Sequence, residues 1–147
     1  MRVMPITNGT YAQKQQTNFK SKFVPNKVLS DTFKNAEEQG CRYFLTAVKN
    51  LLKDGKNRAI ELTGSVLVSR DGVMYTKTKL KTEDMEKEFA GFPHIYEVST
   101  DEMIANDGRL LITEMAQLYG HPDYRDMSKE DVKKEIRKLK KEIFKKN

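Results

Sequence analysis

The stretch RAIELTGSVLVSRDGVMYTKTK, Arg58 to Lys79, is the one whose reading decides the fold. Both halves are rich in β-branched residues, and Asp71-Gly72 stands between them. Strands favour such side chains, and an Asp-Gly pair accepts the positive φ angles of a tight hairpin turn. A two-residue turn predicts that Val68 faces Tyr75 and that Val66 faces Lys77. Val66, Val68, Val73 and Tyr75 then share one face. Leu67 and Met74 lie on the other, among Ser69, Thr76 and Thr78. One side of this ribbon is expected to be buried and the other partly solvated, as antiparallel sheets allow.

Upstream, the period is helical. Asn26 is a good N-cap, Leu29, Phe33 and Ala36 recur at helical spacing, and Gly40 is a natural stop. Cys41, Phe44, Leu45, Val48, Leu51 and Leu52 form one wide apolar stripe that ends at Lys53-Asp54-Gly55. Together they predict a helical pair. Before it, Phe19, Ser21 and Phe23 alternate with Lys20 and Lys22, which suits a short strand ended by Pro25. The alternative is a linear motif that docks on a partner by adding a strand. A polar tail ending in Asn-Phe-x-x-x-Phe, here Asn18 to Phe23, resembles the start of small uncharacterised bacterial proteins, gut-bacterial ones among them. That resemblance implies no activity. Residues 1–17 lack periodicity and read as a mobile N-terminal tail.

Downstream of the hairpin, Thr82 predicts a capped helix through Ala90, with Met85 and Phe89 inward. HIYEVS, His94 to Ser99, suggests another strand. Ser99 with Glu102 forms a capping box, and Asn106-Asp107-Gly108 interrupts the helix it opens. A further helix is expected from Arg109 to Tyr119, ended by Gly120 and Pro122.

The chain closes on SKEDVKKEIRKLKKEIFKKN, Ser128 to Asn147. Ser128 is an N-cap, and Glu130 and Asp131 suit the positive end of the helix dipole. Val132, Ile136, Leu139 and Ile143 fall at i, i+4, i+7 and i+11, one narrow apolar seam. Burying four such side chains is worth roughly 6–12 kcal/mol gross, against about 0.3–0.5 kcal/mol for each exposed charge pair on a helix. This helix therefore needs a surface to lie on, its own body or another chain. Phe144 lies off the seam, on a basic flank. Lys134, Arg137, Lys138, Lys141 and Lys145 form a basic face that phosphates would attract without reading sequence.

Of the net charge of +6, residues 1–25 carry +4, residues 128–147 carry +5 and residues 26–127 carry −3. Attraction to polyanions thus belongs to the termini. The 147 residues suit one domain, with 33% charged residues and a mean hydropathy of −0.72. The single cysteine, Cys41, excludes an internal disulfide. No apolar run reaches signal-peptide or membrane-span length, so a cytoplasmic protein is expected.

Chemistry is sparse. His121 sits in the polar loop GHPDYRD, where Gly-His-Pro-Asp is an ordinary helix terminator, and His94 follows Phe92-Pro93. One Cys and two His at 41, 94 and 121 do not make a structural zinc site, and Gly55-Lys56 lacks the rest of a phosphate loop. No catalytic residue, cofactor or metal is expected. The reading is an α+β domain over 18–127, with a helical pair, a small antiparallel sheet and covering helices, followed by a basic amphipathic helix over 128–147. Its expected role is a non-enzymatic interaction or accessory module, with a protein partner or self-association. The expected anchors are Phe19, Phe23, Val132, Ile136, Leu139, Ile143 and Phe144. The alternative role is association with nucleic acid through the basic face of the last helix.

Overall fold

The computed structural model describes residues 21–54, 56–116 and 126–145. Their fold is α+β. The elements run β1 (Lys22–Phe23), α1 (Lys27–Gln39), α2 (Arg42–Lys53), β2 (Ala59–Val68), β3 (Met74–Lys81), β4 (Glu86–Gly91), α3 (Pro93–Tyr96), α4 (Thr100–Met115) and α5 (Lys129–Ile143). The strands form one sheet in the order β1-β2-β3-β4. It is mixed rather than purely antiparallel, because the helical pair carries the chain across and lays β1 parallel to β2.

The helices start and stop where local chemistry dictates. The Asn26 side chain accepts from the Leu29 N–H at 2.8 Å, and Gly40 ends α1 at φ 58°. Ser99 and Ser128 cap α4 and α5 by accepting from the Glu102 and Asp131 N–H groups. Phe23, Phe33 and Phe44 stack edge-to-face in series and tie β1, α1 and α2 into one core. A buried network seals the same end. Arg58 donates to Asp54 at 2.7 Å and to Ser21, and Ser21 donates to Asp54.

Further expectations are corrected. The hairpin exists, but its register is one residue away from a two-residue turn: Val68 opposes Met74, Leu67 opposes Tyr75 and Val66 opposes Thr76. The Ser69 N–H donates to the Val73 carbonyl and the Gly72 N–H to the Ser69 carbonyl, with Gly72 at φ 81°. The loop is thus three residues, Arg70-Asp71-Gly72, with glycine in the left-handed position. Val66, Val68, Met74, Thr76, Thr78 and Leu80 consequently share the helix-covered face, and Leu67 and Tyr75 lie on the other.

The stretch after Thr82 is a strand rather than a helix. Lys87, Phe89 and Gly91 point with Leu80, Thr78 and Thr76, while Glu86 and Glu88 pair with Lys79 and Lys77 on the solvated face. Pro93 to Tyr96, in turn, form a short helix rather than a strand. Proline suits its first turn, and Glu97 ends it at φ 56°.

Asn106-Asp107-Gly108 does not interrupt α4, which runs unbroken for 16 residues. Gly108 lets α4 approach α1 and β2. A Cβ there would stand 2.5 Å from Thr32 Oγ1 and 2.8 Å from Leu62 Cδ2. Helices α1 and α4 pack on each other and on the sheet.

The apolar seam of α5 is spent within the chain. Val132 and Ile136 are fully buried, Leu139 nearly so, and Ile143 and Phe144 are half-buried against the core formed with α1 and α2.

Candidate functional site

Two features stand apart from the packed core. The first is the open edge of β2. The Ser69 N–H bonds to β3, so by alternation the N–H and C=O groups of even-numbered residues point away from β3. At the start of the strand this edge is filled. The Val24 N–H donates to the Ile60 carbonyl at 2.9 Å, and the Asn26 amide donates to the Leu62 carbonyl at 2.8 Å. Beyond Leu62 the backbone of Gly64, Val66 and Val68 has no partner on that side among the described residues. The edge sequence there, Thr63-Gly64-Ser65-Val66-Leu67-Val68, carries no charge. Val66, Val68 and Met74 stand bare at the hairpin end of the helix-covered face, with Val68 66% exposed. The opposite edge of the sheet, β4, carries Glu86, Lys87 and Glu88. Soluble proteins commonly blunt exposed edges with such charges.

The second feature is a cleft of about 460 Å³ between α1, α4 and the end of β4, roofed in part by Tyr96 of α3. Asp107 in its wall is 7% exposed, and no hydrogen bond or ion pair reaches its carboxylate among the described residues. Burial pushes its carboxyl above the ordinary 3.8. The carboxylate packs against bare backbone: a Cβ at Gly91 would lie 3.0 Å from Asp107 Oδ2 and 2.7 Å from Met103 Sδ. Arg109 donates to the carboxamide oxygens of Asn35 and Asn106, at 3.0 and 2.7 Å, and Gln39 also donates to Asn35. Both amides are thereby held oxygen-back.

The residues expected to anchor a partner are elsewhere. Phe23, Val132, Ile136 and Leu139 are buried in the chain's own core, and Ile143 and Phe144 pack at its margin. Phe19 and His121 lie outside the described residues. Of the basic face, Arg137 forms a forked pair with Glu37 at 2.9 and 2.8 Å, while Lys134, Lys138, Lys141 and Lys145 are exposed. His94 is exposed on α3, edge-on to Phe92. Cys41 is half-buried at the core margin.

Neither feature was singled out from sequence. Alternation would have located the uncharged edge once the register was right. Asp107 had a signal of its own, a carboxylate spaced by four from both Met103 and Leu111 on an otherwise apolar stripe.

Among the described residues no helix is long and apolar enough to cross a membrane, and no cluster of His, Cys, Asp and Glu is arranged to hold a metal. Comparison with protein-family models, curated proteins and solved structures returns no match.

Proposed function

We propose that this chain is a non-enzymatic interaction module that pairs with a second copy of itself through the open edge of β2. The observation that carries this reading is the unpaired outer backbone of Gly64, Val66 and Val68 on an uncharged stretch, beside a strand start whose Ile60 and Leu62 carbonyls have partners. An open edge of this kind is a template for another strand.

A second copy fits it for a geometric reason. Antiparallel pairing about a two-fold axis at Val66 sets Gly64 opposite Val68 of the other copy, and every pair made by outward-pointing backbone is a hydrogen-bonded one. No charges meet along the seam. Gly64 lies directly under Ile104 of α4, whose Cγ2 is 2.5 Å from where a Cβ would stand. With strands about 4.8 Å apart, α4 of each copy closes over the bare Val68 of the other. The pairing thus satisfies the backbone and covers the exposed valines together.

The test is solution mass by light scattering over a range of concentrations, for the native chain and for Val66→Lys. The reading expects a dimer that the lysine converts to a folded monomer. A native chain that stays monomeric at high micromolar concentration refutes it.

A further inference from the structure

We propose that the cleft between α1, α4 and β4 is a binding site for a small organic ammonium ion, with Asp107 and Glu102 holding the charge and Tyr96, Val98 and Leu110 holding the apolar body. This site is separate from the β2 edge and does not depend on self-pairing.

Charge selects the ligand class. The lining contains two carboxylates and no lysine, arginine or histidine. Arg109 is not among the lining residues: it stands behind Asn35 and Asn106 and directs N–H groups at their carboxamide oxygens, so its charge persists but lies outside the lining. Asp107 provides an independent observation. It is more than nine-tenths buried, lines the cleft, and has one oxygen sealed without any hydrogen-bond partner. Oδ2 stays sealed against Gly91, so a bound cation would reach the other carboxylate oxygen, and a charge-assisted hydrogen bond there offsets part of the cost of burying the group. Glu102 lines the same cleft five residues earlier in α4, at its exposed rim, and adds attraction at the entrance.

Size and shape agree. A volume of about 460 Å³ falls in the ordinary range for small-molecule sites, which pair an apolar lining with a few placed polar groups. Tyr96 and Leu110 are both large and exposed at the cleft. An aromatic or aliphatic body between them would shield apolar surface now facing water. Because the amide oxygens of Asn35 and Asn106 already accept from Arg109, their NH₂ groups remain as donors. A hydroxyl or carbonyl oxygen on the same ligand therefore fits as well.

The site is tested by nuclear magnetic resonance titration of the full chain with three probes on one scaffold: tyramine, N-acetyltyramine and 3-(4-hydroxyphenyl)propionate. They share the phenol body and differ in charge: positive, neutral and negative. Tyramine is expected to shift the amide resonances of Gly91, Asn106 and Asp107 saturably at micromolar to millimolar concentration. The neutral probe should bind about tenfold weaker or worse, and the anion should not bind, since each tenfold step reflects one lost charge-assisted contact. Asp107→Asn should weaken tyramine at least about tenfold while leaving circular dichroism unchanged. Leu110→Ala, outside the charged pair, should weaken tyramine and N-acetyltyramine equally. Equal binding of the three probes, undiminished tyramine binding by a folded Asp107→Asn variant, or no saturable tyramine binding at millimolar concentration would overturn the proposal.

Discussion

Substituting Gly108 with alanine reverses the sign that helix propensity alone would give. Gly108 lies inside α4, where alanine ordinarily gains about 0.8–1.0 kcal/mol over glycine. Here the added methyl would stand 2.5 Å from Thr32 Oγ1, 2.8 Å from Leu62 Cδ2 and 3.4 Å from Thr32 Cγ2. Neither neighbour can yield cheaply. The Thr32 hydroxyl is pinned by donating to the Val28 carbonyl at 2.8 Å, and Leu62 is fully buried. Inserting a methyl into a packed interior costs about 1–3 kcal/mol, and two contacts this short put the cost at the upper end. The expected net effect is a loss of about 2 kcal/mol once the propensity gain is subtracted. The chain has no tryptophan, so urea unfolding is best followed by far-ultraviolet circular dichroism. With a slope of about 1–3 kcal/mol per molar urea, the midpoint should fall by roughly 1 M. An unchanged or higher midpoint would refute the close approach of α1 and α4 at this residue.

Other outcomes follow from the packing. Ile136→Ala, on a side chain with no exposure, should cost about 2–5 kcal/mol, whereas Arg137→Ala, which breaks a half-exposed pair with Glu37, should cost less than about 1 kcal/mol. Because the seam packs within the chain, the Ile136 loss in urea unfolding should not vary with protein concentration. Asp107→Asn should raise the melting temperature at neutral pH. Burial raises the folded carboxyl above its unfolded value, so the native chain holds its proton more tightly and loses stability as pH rises through that interval. The gain from asparagine should shrink as pH falls below the ordinary carboxyl range, and a constant gain in thermal unfolding across pH would contradict this origin.

Local chemistry made much of the fold legible. Asn26, Gly40, Ser99 and Ser128 act as helix ends because a cap depends on a few neighbouring atoms. The α5 seam was readable for a similar reason, its spacing being a property of one helix. What failed required partners distant in sequence. Asp71-Gly72 suits both a two-residue turn and a three-residue loop, and the single residue between them exchanges the faces of the whole hairpin. The spacing of Met85 and Phe89 fits a helix, but an interval of four is also even. Only the lysines of β3 opposite Glu86 and Glu88 favour a strand. Asn106-Asp107-Gly108 reads as a breaker until α1 and β2 are packed on it, and tertiary contact then overrides propensity. The cleft was the least legible feature, since Asn35, Gly91 and Asp107 meet only after the sheet and helices have assembled.

The β2 edge carries the functional reading, and its register can be measured directly. An equal mixture of isotope-labelled and unlabelled chains, observed by isotope-filtered nuclear Overhauser spectroscopy, reports contacts between copies alone. Pairing about Val66 sets Ser65 opposite Leu67 of the other copy as a non-hydrogen-bonded pair, where α-protons approach most closely. The account predicts an intermolecular cross-peak between the α-protons of Ser65 and Leu67. A dimer whose intermolecular contacts fall on α5, or a sample with none, would contradict it.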